Sequence, residues 1–90
     1  MDFDLDLAWR LHPQVSVRPE PFGALLYHFG TRRLSFLKDR TLLTVVESLS
    51  AAATARDACR DAGVADVDIE RYRRALSALR TSRMVVERTP

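Results

Sequence analysis

A single cysteine, three scattered glycines and no long apolar run set the first limits on this chain. One thiol, Cys59, cannot form an internal disulfide, and without a second thiol at ligand spacing no zinc site can be built from sulfur. Glycines at 23, 30 and 63 are never clustered, which removes phosphate loops and dinucleotide-binding fingerprints. No stretch approaches the roughly 18 uninterrupted apolar residues of a membrane span. The start MDFDLDLAWR also lacks the basic and apolar regions of a secretory signal, so a cytoplasmic protein without membrane contact is expected.

What is present belongs to a folded protein. Hydrophobic residues make up 47% and charged residues 29% of the 90, which separates the chain from the disordered class and predicts one domain over residues 1–90. Net charge is only +2, but Asp2, Asp4 and Asp6 crowd the start while Arg71, Arg73, Arg74, Arg80 and Arg83 crowd the last third, predicting a cationic surface there.

Residues 1–13 read as an extended arm in which Phe3, Leu5, Leu7 and Trp9 alternate with charge. QVSVR, 14–18, has the period of two of a half-buried strand and is expected to stop at Pro19, with 19–23 forming a turn. Residues 24–29 read as a central strand, and Leu34–Leu37 as a third strand returning through a short hairpin, at an edge with unpaired backbone groups. Asp39 then caps a helix carrying Leu42, Leu43, Val45, Val46 and Leu49 and ending near Ser50. A short second helix is capped by Thr54 and ended by Gly63, with Ala55, Ala58, Cys59 and Ala62 inward. Asp66 or Asp68 caps a third helix whose buried stripe is Ile69, Tyr72, Leu76 and Leu79, and Met84–Val86 form a last short strand or a tail. The fold class is α+β and winged-helix-like, with an N-terminal three-stranded antiparallel sheet followed by three helices.

No catalytic constellation emerges. His12, His28 and Cys59 lie on different elements, His28 on a strand reads as a structural or surface histidine, and Cys59 among alanines reads as a small core residue. The Asp2, Asp4, Asp6 series lacks the glycine and distal glutamate of a calcium loop. No catalytic residue, metal or cofactor is expected. Two surfaces remain: the edge strand from Arg33 to Lys38, and the flanks of the third helix, Arg71, Arg74, Ala75 and Ala78 on one side and Arg73, Ser77 and Arg80 on the other. If helix and edge strand lie side by side, they form a cleft with backbone donors on one wall and cations on the other, suited to an extended acidic peptide. The second and third helices also describe a helix-turn-helix, which makes winged-helix DNA binding the alternative. Against it, the hairpin precedes the helices and the third helix lacks an Asn or Gln to read adenine.

The run RPEPFGALLYHFGTRRLSFL, 18–37, together with this element order, resembles the PqqD-like peptide-recognition family, in its mycofactocin branch. The similarity runs from about Trp9 to Glu87. It implies a non-catalytic chaperone that binds the leader of a ribosomally made precursor peptide by strand addition and presents it to a radical S-adenosylmethionine maturase, with no nucleic acid as partner. Carried onto this sequence, the implied peptide-binding residues are Arg33, Leu34, Ser35, Phe36 and Leu37 on the strand and Arg71, Arg74, Ala75 and Ala78 on the helix.

Overall fold

Strand-forming runs fill the chain up to residue 37 and helical spacing takes over after Asp39. The computed structural model, which describes residues 3–88, divides the molecule accordingly. Its elements are β1 (Trp9–Leu11), β2 (Val15–Glu20), β3 (Gly23–His28), β4 (Arg33–Leu37), α1 (Arg40–Ser48), α2 (Ala55–Asp61), α3 (Ile69–Thr81) and β5 (Val85–Glu87). β2, β3 and β4 form an antiparallel sheet in that order, and β1 pairs with β5 in a second, two-stranded sheet. The α+β, winged-helix-like arrangement read from the sequence is the arrangement observed, with β4 at an edge.

The strands end where backbone geometry requires. β2 continues past the expected stop, because Pro19 keeps its place in the ladder opposite Ala24. The amide of Phe29 donates to Gln14, which fixes the odd residues of β3 toward β2 and leaves Val15, Val17 and Pro19 pointing to the open side of β2. Proline there forfeits a donor that the sheet does not use. At the β2–β3 turn, Gly23 (φ 151°) brings its Cα so close to β4 that a Cβ would sit 2.0 Å from the Leu37 carbonyl oxygen, so no other residue fits.

The segment expected to be an extended arm is part of the core. Phe3, Leu5 and Trp9 are buried, Phe3 stacks on Trp9 at 4.2 Å, and the amides of Ala55 and Arg56 donate to the carbonyls of Leu7 and Leu5. The physical reason is demand for apolar cover. Backbone bonds at the start of α2 hold this segment in place, and its two aromatic rings add large apolar area to the common core. Asp6 pairs with Arg56 at 2.8 Å, which gives the acidic start a structural role, whereas Asp2 lies outside the described residues. At the other end, Arg88 donates to the carbonyls of Ser50, Ala52 and Ala53, satisfying the turn after α1 while its own amide bonds Ala8.

Helix capping follows the sequence in two cases of three. Asp39 accepts from the Thr41 amide at 2.8 Å and Thr54 from the Asp57 amide at 3.1 Å. Neither Asp66 nor Asp68 caps α3 through its side chain; a 3-10 turn over Asp66–Asp68 leads into the helix instead. Gly63 (φ 88°) ends α2 as expected, with the Val64 amide returning to the Cys59 carbonyl.

A side-chain hydrogen bond ties α3 to the end of β4: the Tyr72 hydroxyl donates to Asp39, the residue that caps α1 just after β4. Partial burial opposes ionisation of Asp39. The Tyr72 hydroxyl, the Thr41 and Leu42 amides and the nearby Arg71 charge outweigh it and hold the carboxyl below its ordinary value. A depressed carboxylate stabilises the fold above its unfolded value, near pH 4, and that contribution disappears as pH falls through the folded value. Tyr72→Phe should therefore cost about 1–2 kcal/mol at neutral pH and flatten the loss of stability between about pH 5 and about pH 2, read from denaturant melts across that range. Trp9→Ala, which removes a buried ring stacked on Phe3, should cost about 3–5 kcal/mol in the same assay.

Candidate peptide-binding groove

The direction of each backbone group on β4 follows from two hydrogen bonds elsewhere. The His28 carbonyl accepts from Arg32 in the β3–β4 hairpin, and the Phe29 amide donates to Gln14 on the other side. His28, Leu26 and Ala24 therefore point toward β4, where Leu26 faces Ser35 and Ala24 faces Leu37. Ser35 and Leu37 spend their amide and carbonyl on β3. Leu34 and Phe36 direct theirs away from the sheet, at the open edge.

Beyond that edge stands α3, and a groove runs between the two. Its middle is a cavity of about 400 Å³ bounded by Leu34 to Leu37 on one wall and Ala75, Ala78 and Leu79 on the other, with Leu42 of α1 on its lining too. Toward the start of α3 it opens onto Lys38, Asp39, Arg71 and Tyr72, with Leu42 and Ala75 shared between the two spaces. Toward the end of α3, Ser82 joins it to a space lined by Thr31, Arg33 and Arg83. The centre is apolar and each end carries two cations.

Of the residues expected at the site, Arg33 to Leu37, Arg71, Ala75 and Ala78 line this groove. Arg74 does not line it. Its side chain is 77% exposed and reaches back to Glu70 at 3.5 Å, because position 74 falls one step around the helix from the 71, 75, 78, 82 stripe. The opposite flank turns toward the other sheet: Arg80 lies over the Trp9 ring at 5.7 Å and Arg73 pairs with Glu70. Leu42, Leu79, Ser82 and Arg83 were not read as site residues. Extending the stripe one turn would have found Ser82. Arg83 owes its place to a left-handed backbone (φ 62°) after the helix, which no local pattern signals.

The charges of α3 are partly spent within the helix. Arg71 pairs with Asp68 at 3.6 Å and lies 5.0 Å from the Tyr72 ring centre, and Glu70 serves both Arg73 and Arg74. Such pairs are exposed and exchangeable, so an incoming carboxylate can compete for Arg71.

Reactive groups lie elsewhere. Cys59 is fully buried in α2, where burial pushes its thiol up, and His28 is buried on β3 with Nδ1 accepting from the Gly30 and Thr31 amides. Cys59 is a small core residue, as read from the sequence, and of the two readings of His28, structural or surface, the buried one holds. Among the described residues no three His, Cys, Asp or Glu side chains are placed to hold a metal ion, and no helix is long and apolar enough to cross a membrane. The groove is equipped to hold an extended chain by its backbone.

Comparison with known proteins agrees on the family. The description "Peptide chaperone MftB family" matches residues 8–86. The chain is 63% identical to a peptide chaperone MftB of Mycobacterium tuberculosis over 97% of its own length and 80% of the relative's. It is 63% identical to that of Mycobacterium ulcerans over 93% and 77%, and 59% identical to that of Mycolicibacterium smegmatis over 98% and 86%. No solved structure matches the chain. With an open strand edge facing a helix across an apolar groove, and with these similarities over nearly its whole length, the chain belongs to the MftB family of peptide chaperones.

Proposed function

We propose that the groove between β4 and α3 takes the leader of a ribosomally made precursor peptide of the mycofactocin type as an added strand on β4. The chain then presents that peptide, in the cytoplasm, to a radical S-adenosylmethionine maturase and performs no chemistry itself. The observation that carries the reading is the outward direction of the Leu34 and Phe36 backbone groups into a groove walled by α3. Two residues with free N–H and C=O offer four hydrogen bonds in the spacing of an antiparallel or parallel partner. The other edge of the sheet is blunted by Pro19, so the two edges are not equivalent.

Side-chain chemistry supports the same occupant. Ala75 and Ala78 leave room between helix and strand for a second backbone, and Leu37, Leu42 and Leu79 offer apolar contact to alternate residues of the added strand. Arg71 and Lys38 at one end and Arg33 and Arg83 at the other suit carboxylates flanking that strand. Duplex DNA as the alternative partner has little to recommend it, since Asp68 and Glu70 already engage three arginines of α3.

Two measurements test the reading. In the first, Phe36→Pro removes an outward donor and Ser35→Pro an inward one. Phe36→Pro should keep most of the melting transition and lose at least tenfold in affinity for a synthetic leader by calorimetric titration, Phe36→Ala separating the ring from the donor. Ser35→Pro should damage the fold. Unchanged affinity in a folded Phe36→Pro protein would exclude strand addition. In the second, Arg71→Glu should weaken binding several-fold and reduce its dependence on salt, whereas Arg74→Glu, outside the groove, should change it less than twofold; equal losses would mean that the cationic wall lies elsewhere.

A further inference from the structure

The turn after α3 repeats the turn after α2 bond for bond, with one telling change of residue. After α2 the amides of Gly63 and Val64 return to the carbonyls of Arg60 and Cys59, and after α3 those of Arg83 and Met84 return to Arg80 and Leu79. This closure needs a residue in the left-handed region, Gly63 at φ 88° in the first case and Arg83 at φ 62° in the second. Glycine takes that conformation freely, whereas arginine takes it at a cost. The fold does not offset the cost through the side chain, because Arg83 forms no ion pair among the described residues. A cation here complements the α3 dipole, but Arg80 in the last turn already supplies one. Among the described residues the other non-glycine with a left-handed backbone is again an arginine, Arg32, and it sits between Thr31 and Arg33.

Thr31, Arg33 and Arg83 line the same space. It measures about 320 Å³, has no carboxylate on its wall, and adjoins a second space of about 330 Å³ across Thr81 and Arg83. The second lies against buried Trp9 and Val85, with Arg80 on its wall and Glu87 as its one carboxylate. Arg33 and Arg80, like Arg83, form no ion pair among the described residues. The opposite end of the groove differs, since Asp39 lines it and Arg71 is engaged by Asp68. Uncompensated positive charge is therefore concentrated at one end of the groove.

We infer that the space between Arg33 and Arg83 is an anion subsite for the leader, which receives an acidic stretch leaving one end of the added strand and leads it round the end of α3 toward Arg80. This rests on the groove reading above and adds to it a direction: the carboxylates of the leader gather on one side of its apolar segment. Continuity selects the occupant, because Ser82 lines both the groove and this space, so that a chain running along β4 past Leu34 enters it. The donor set selects the chemistry. The hydroxyls of Thr81 and Ser82 are spent on the carbonyls of Ser77 and Ala78, whereas Thr31 Oγ1 accepts from the Arg33 amide and keeps its own hydrogen to donate. Two guanidinium groups and one free hydroxyl hydrogen, with no carboxylate beside them, match a carboxylate's lone pairs. A leader with its acidic stretch on the wrong side would place those charges at the end already occupied by Asp39 and Asp68.

The test titrates synthetic leaders into the full chain by calorimetry. In one leader the carboxylates on the N-terminal side of its apolar segment are replaced by amides, and in another those on the C-terminal side. One replacement should weaken binding about tenfold and the other less than about twofold. Arg83→Gly should keep or raise the melting transition, since glycine relieves the left-handed turn, while weakening the unmodified leader about tenfold and erasing the difference between the two replaced leaders. Equal losses from the two replacements overturn the inference, as does an Arg83→Gly protein that still discriminates between them. If inorganic phosphate moves the Arg33 and Arg83 amide resonances at micromolar concentration while both replaced leaders bind like the unmodified one, the space belongs to a free anion and the inference falls. Amide hydrogen exchange keeps the two readings apart. Protection of Leu34 and Phe36 by the leader with no response to Arg83→Gly leaves the groove and removes the subsite, whereas loss of affinity in Arg83→Gly without that protection leaves the subsite and removes strand addition.

Discussion

The register of β3 against β4 is the constraint on which the groove depends. Leu37 is buried opposite Ala24, and Gly23 approaches its carbonyl so closely that the two strands cannot slide past one another. With a side-chain period of two, a slip of one residue would drive Leu34 and Phe36 into the core and turn Leu37 out to solvent. The same slip would exchange the directions of the backbone groups. Burial of one leucine thus decides which amides face the open edge, so that the hydrophobic pattern of the strand and its capacity to bind a peptide backbone are one property.

The opposite wall is held by a different kind of force. α3 reaches the core through Tyr72, Leu76 and Leu79, and the Tyr72 hydroxyl on Asp39 ties its first turns to the junction of β4 and α1. Because Asp39 also caps α1, one carboxylate sets both the start of that helix and the position of the groove's far wall. The 71, 75, 78, 82 stripe that results is smooth in its middle and cationic at its start. On the proposed reading, apolar burial supplies the groove's affinity for a chain of alternating character, and the end charges set its direction.

Much of this was legible in the residues. The edge position of β4 follows from three successive strands in meander order, the cap at Asp39 from the change of period after Lys38, and the Ala75 and Ala78 wall from helical spacing. What was not legible came from contacts distant in sequence. Phe3, Leu5 and Trp9 alternate with charge and so read as an arm, but the bonds of the Ala55 and Arg56 amides to Leu7 and Leu5 and the pairing of Trp9–Leu11 with Val85–Glu87 draw them into the core. Pro19 read as a stop because proline forfeits a donor, and only the register shows that this donor would have faced the open side. Arg74 read as groove-lining because it neighbours Ala75 and Ala78 on a helical wheel, yet Glu70 one turn back takes it away.

The central claim is that the leader bonds to the outward backbone groups of β4, and amide hydrogen exchange reads those groups one by one. On addition of a synthetic leader, the account predicts strong slowing of exchange at Leu34 and Phe36, with little change at Ser35 and Leu37, whose amides are already bonded to β3. Slowing spread over α3 or the outer sheet face with Leu34 and Phe36 unaffected would contradict it.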